Sequence, residues 1–115
     1  MKQNENTITY NGKEYLFVFN LNVMQALQEE YGTIDKWASV TDGANGEPNA
    51  KAVIFGFREM LNEGIDITNE RRGQNEPFLT LKQVGRMITE IGLLEATKEL
   101  NKTVVESTEP TEKNA

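Results

Sequence analysis

The stretch that most constrains this chain is Ala50–Gly64, AKAVIFGFREMLNEG. Ala50, Val53, Ile54, Phe57 and Leu61 recur at i, i+3, i+4, i+7 and i+11, a continuous apolar stripe along one face of a helix. Phe55 and Met60 lie off that stripe, so the helix is apolar on more than one side and is expected between other elements. Gly64 follows as the expected C′ residue, because glycine enters the left-handed region without a Cβ penalty.

The other elements fall into place around this helix. Residues 1–6 are polar and read as a loose amino terminus. Thr7–Tyr10 and Lys13–Phe19 then flank Asn11-Gly12, a pair that tolerates the positive φ angles of a type I′ turn. A two-residue loop sets Tyr10 opposite Lys13 and Ile8 opposite Tyr15. Ile8, Tyr10, Tyr15, Phe17 and Phe19 then share one face, and Leu16 and Val18 share the other with Thr7 and Thr9. A lone hairpin is marginal in water, so the aromatic face must pack on helices.

Asn20 or Asn22 caps the next helix, whose stripe is Val23, Met24, Leu27 and Tyr31 and whose stop is Gly32. Thr33 opens a short helix, Ile34–Val40, carrying Trp37, and Thr41–Asn49 is a loop by its glycines, proline and Asx residues. A second long connection is expected over Ile65–Phe78, with Ile65 and Ile67 tucked back and 69–77 solvated. Thr80 and Gln83 form a capping box for a helix with Leu81, Val84, Met87, Ile88 and Ile91 on one face. Beyond Gly92, Leu93, Leu94, Thr97, Leu100 and Val104 form a second helix or a kinked continuation. Residues 107–115 read as a disordered tail, leaving 7–106 as a single domain. The fold class is α+β: an antiparallel N-terminal hairpin packed on about four or five helices.

Residue types exclude much chemistry. The 115 residues include no cysteine and no histidine, so disulfides, thiolate sites and imidazole-based catalysis or zinc binding have no ligands to use. A net charge of -6 opposes both nucleic acid and anionic lipid. No apolar run is long enough for a signal peptide or a membrane span, so a cytoplasmic protein is expected. The paired carboxylates Glu29-Glu30 and Glu59/Glu63 read as solvated helix faces. Asp66–Glu70 alternates oxygen-bearing residues like a calcium loop, but Arg71 stands at the glycine position and Pro77 at the closing glutamate position. Arg71-Arg72 reads as a hydrated loop pair. Trp37 and the hairpin aromatics read as core, with an interface as the alternative. No cofactor is implied, and a non-enzymatic binding protein is the class that remains.

The order of signals carries a resemblance. Y-N-G-K-E-Y-x-F (Tyr10–Phe17) precedes a helix ending E-E-Y-G (Glu29–Gly32). An apolar helix ending L-N-E-G (Leu61–Gly64), a polar loop with N-E-R and L-T-L-K-Q-V-G-R-M-I (Leu79–Ile88) follow. From about Thr7 to Leu100 the chain resembles the small tail assembly chaperones of long-tailed bacteriophages and prophages. The resemblance implies binding to the tape-measure protein, recruitment of tail-tube subunits, and a role in the host cytoplasm without catalytic residues. It also allows a longer, frameshifted form of the product. The Thr41–Asn49 loop, long and glycine-rich, departs from the family pattern. A chaperone of this kind leaves apolar surface open, which also favours a homo-oligomer. The expected partner-binding residues are Leu81, Val84, Met87, Ile88, Ile91 and Leu94, on the helices nearest the tail. The rival readings are a structural virion component, such as a tail-completion protein, and an acidic inhibitor that mimics nucleic acid.

Overall fold

The computed structural model describes residues 4–43 and 46–108. It is an α+β domain: a two-stranded antiparallel hairpin, β1 (Asn4–Tyr10) and β2 (Lys13–Phe19), followed by five helices. These are α1 (Leu21–Tyr31), α2 (Ile34–Thr41), α3 (Ala50–Arg72), α4 (Leu81–Ile91) and α5 (Leu93–Thr108). The expected Asn-Gly turn is present, with Asn11 at φ 52° and Gly12 at φ 74°. Tyr10 pairs with Lys13 and Ile8 with Tyr15, so the expected register holds. Gly12→Val forces a β-branched residue into the left-handed region, and we expect it to cost about 1–2 kcal/mol. Denaturant titration reads this directly, and an unchanged midpoint would mean the turn does not hold the hairpin.

Both ends of the domain extend further than the sequence suggested. β1 begins at Asn4, inside the segment read as loose, because residues 4–6 find ladder partners in Phe17–Phe19. The Asn6 side chain also donates to Thr103 Oγ1 at 2.9 Å, tying the hairpin to α5. At the other end α5 runs through Ser107, which is fully buried, to Thr108. The remainder of the expected tail, 109–115, lies outside the described residues, as do 1–3 of the amino terminus.

α3 packs against β2 and all four other helices, so the organising stretch is indeed central. It does not stop at Gly64. Gly73, at φ 62° and ψ 40°, is the left-handed C′ residue, and its N–H donates to the Asn69 carbonyl. The segment 65–72, read as a connection, therefore forms the last two turns of α3. Arg71 and Arg72 lie in the final turn, where positive charge complements the helix dipole. Arg71 is not a loop cation: it makes a two-pronged ion pair with Glu5, at 2.6 and 3.2 Å.

The reason for Gly64 is close approach. In a two-residue hairpin the hydrogen-bonded pairs alternate outward from Tyr10–Lys13, so Leu16 falls at a non-bonded position and its carbonyl points away from β1. α3 lies along that open edge: a Cβ on Gly64 would stand 1.9 Å from the Leu16 oxygen. The helix thereby covers the strand edge that would otherwise invite pairing with another chain. Gly56, two turns earlier, serves α2 in the same way, since a Cβ there would lie 2.4 Å from Cζ2 of the Trp37 ring. Trp37 is fully buried and its indole N–H donates to the Ala52 carbonyl at 3.1 Å. That places Trp37 in the core rather than at an interface on this domain's surface. Phe17 meets Phe57 at 4.7 Å between ring centroids, joining hairpin to helix.

Gly92 ends α4 at φ 104°, and α5 is a separate helix rather than a continuation. The connection from α3 to α4 is fastened twice. Asn69 donates to the Glu76 carbonyl and accepts from the Glu76 N–H, both at 3.0 Å. Asn62 does the same to Leu79, at 3.1 and 2.8 Å. Each primary amide supplies one donor and one acceptor to a single residue's backbone, as a neighbouring strand would.

Candidate functional site

The six residues singled out for partner binding divide by exposure. Val84, Met87 and Ile88 are buried at 0%, 2% and 4% exposure, in one cluster with Phe57 and Leu61. This corrects the expectation that the α4 stripe faces a partner: the stripe closes the core, since the 3.6-residue period cannot distinguish a core-facing stripe from a docking face. Ile91 is half-buried against the same cluster. Leu81 and Leu94 remain, at 45% and 68% exposure.

Leu81 belongs to an open trough between α3 and α4. Its floor on the α3 side is Ile54 and Phe55, with Lys51 at one end; its α4 side is Leu81, Lys82, Gly85, Arg86 and Thr89. This part encloses about 740 Å³ and no carboxylate lines it. The trough continues past Leu81 and Lys82 into a second, more polar section of about 820 Å³ bordered by Arg58, Asn62, Phe78 and the carboxylates Glu59, Glu63 and Asp66. Phe78 is 56% exposed, held outward at the rim while Leu79 beside it is clamped to Asn62.

The local sequence explains the shape. Lys51, Ile54, Phe55, Arg58 and Asn62 recur at three- and four-residue steps, one ridge of α3 along the edge of the core, where Ile54 and Phe55 are half-buried. Thr80 caps α4 through Gln83 N–H at 3.1 Å, with Gln83 Oε1 accepting from Thr80 N–H at 2.8 Å. That capping box fixes where α4 begins and hence where Leu81 stands. Phe55 is braced on its far side by Tyr31, edge to face at 5.9 Å, and by the Arg58 guanidinium at 5.7 Å. Arg58 in turn pairs with Glu59 at 2.7 Å. Burial, with a smaller contribution from Glu30, pushes the Tyr31 phenol above its ordinary value.

Among the described residues no group of three acidic side chains is placed to hold a metal ion. Asp66–Glu70, which alternates like a calcium loop, is helical in α3 and cannot wrap a cation. No helix among the described residues is long and apolar enough to cross a membrane. The section around Gly85 offers a half-buried apolar floor and a cationic margin, and the section beyond Lys82 sets the exposed Phe78 beside Glu59, Glu63 and Asp66. Ile54 and Phe55 were read only as core residues of the central helix. The central helix is apolar on more than one side, and only the packing decides which residues are left half-covered. Comparison with protein-family models, with curated proteins and with solved structures finds no match for this chain.

Proposed function

We propose that this chain is a non-enzymatic tail assembly chaperone of a long-tailed bacteriophage or prophage. In this reading it works in the cytoplasm of the bacterial host, holds a helical segment of the tape-measure protein in soluble form and helps to recruit tail-tube subunits. The observation that carries the reading is the open α3–α4 trough: a mainly helical domain leaves Ile54 and Phe55 of its central helix half-buried at the edge of the core, lining a concave face with the exposed Leu81. Helices with exposed apolar stripes dock into such grooves through anchors spaced three and four residues apart. The order of sequence motifs by which the chain resembles these chaperones supports it too.

Co-expression with the tape-measure protein encoded beside this chain is the direct test. We expect the tape-measure protein to move from the pellet to the soluble fraction and to co-purify. If it aggregates to the same extent and no complex elutes, the chaperone reading fails. Recovery of this chain in purified particles would then favour a structural virion component.

A further inference from the structure

We propose that the α3–α4 groove receives an amphipathic helix with acidic flanks, seated over Gly85. Two independent features point to this occupant. The first is charge. The chain as a whole carries 18 acidic against 12 basic residues, yet the section of the groove around Gly85 is margined by Lys51, Lys82 and Arg86 with no carboxylate among its lining residues, the acidic side chains Glu59, Glu63 and Asp66 lying in the section beyond Lys82. None of these three cations forms an ion pair among the described residues. An apolar floor of Ile54, Phe55 and Leu81 between unpaired cations is complementary to a segment with leucine-like anchors and glutamate or aspartate beside them.

The second feature is a glycine that the fold does not require. Gly56 and Gly64 are enforced by Trp37 and by the Leu16 carbonyl. Gly85, also inside a helix, has ordinary backbone angles, and a Cβ there would meet only the tip of Ile54, at a comfortable 3.6 Å. Glycine inside a helix is unfavourable relative to alanine, so this position gives up stability without a packing reason. Its effect is to leave a notch midway along the α4 wall, where a bulky side chain or a close backbone can enter. From Leu81 to Thr89 the wall rises about 12 Å, enough to seat a helical segment of roughly two turns.

The inference rests on the chaperone reading only for its biological partner, a helical segment of the tape-measure protein. It is tested first with two fluorescent peptides of about 18 residues, each with leucines at i, i+4, i+7 and i+11. One carries glutamate beside the leucines and the other lysine. In anisotropy titrations at low salt the acidic peptide is expected to bind at least about tenfold more tightly than the basic one, and to weaken as salt screens the cations. Gly85→Leu fills the notch and should weaken binding about tenfold or more, whereas Gly85→Ala should raise Tm by about 2–6 °C through helix preference alone. The double charge reversal Lys82→Glu with Arg86→Glu, at two exposed positions, should invert the peptide preference without change in the circular dichroism spectrum. Equal binding of the two peptides, no saturable binding, or full binding by Gly85→Leu would overturn the proposal. The two readings fail separately. Co-purification of the tape-measure protein with Gly85→Leu as efficiently as with the parent chain removes the groove and leaves the chaperone. A saturable acidic peptide with no tape-measure complex does the reverse.

Discussion

Gly64→Ala should melt about 10–18 °C below the parent chain, a large effect for one added methyl group. The added carbon would lie 1.9 Å from the Leu16 oxygen and 2.6 Å from its carbonyl carbon. Both are backbone atoms of β2, so no side chain can swing aside to make room. Relief requires the strand and α3 to separate, which loosens the seam between Phe17 and Phe57 as well. Overpacking costs roughly 1–3 kcal/mol where side chains absorb it, and more where backbone must move. Alanine's helix preference returns about 1 kcal/mol. We expect a net loss of about 3 kcal/mol. A Tm within a degree or two of the parent would show that α3 does not lie against the strand edge at this distance.

Phe57→Ala should cost about 3–5 kcal/mol, the usual range for removing a buried aromatic ring. Phe57 is fully buried, and its ring meets Phe17 from the hairpin. The cavity would open where the sheet and the central helix share a surface, so neither layer can collapse into it without breaking the other's packing. Set against a total stability of about 5–15 kcal/mol, the variant would be marginal at physiological temperature. A chemical denaturation midpoint unchanged by the substitution would remove Phe57 from the core. The two substitutions act from the α3 side of the same joint, one by crowding it and one by emptying it. They should therefore combine non-additively.

Much of this architecture was legible because local signals agreed with one another. Asn11-Gly12, Asn20, Thr33 and the Thr80–Gln83 box each satisfy backbone groups within a few residues, so nothing distant has to be known. Gly64 was misread for the opposite reason. A glycine that ends a helix and a glycine that admits another backbone look the same in sequence, and the partner here is 48 residues away in β2. The same limit hid the site. Val84, Met87 and Ile88 form a clear stripe, but a stripe carries no label saying whether the core or a partner covers it. Ile54 and Phe55 are α3 residues that the other elements cover only in part.

The two asparagine clamps between α3 and the following connection turn a stretch without regular secondary structure into a gauge. Asn62 and Asn69 stand seven residues apart on a helix, an axial separation of about 10.5 Å. Their backbone targets, Leu79 and Glu76, are three residues apart, and three extended residues span about 10 Å. Two helical turns and three extended residues thus measure the same length, and the amides lock only when both counts are right. Pro77, midway, has no N–H to leave unpaired and favours the extended conformation the match requires. Inserting one residue between Glu76 and Leu79 would leave one clamp open or push α4 along the face of α3. Among the segments that join the helices, this one should therefore accept the least variation in length, although most of its surface faces solvent.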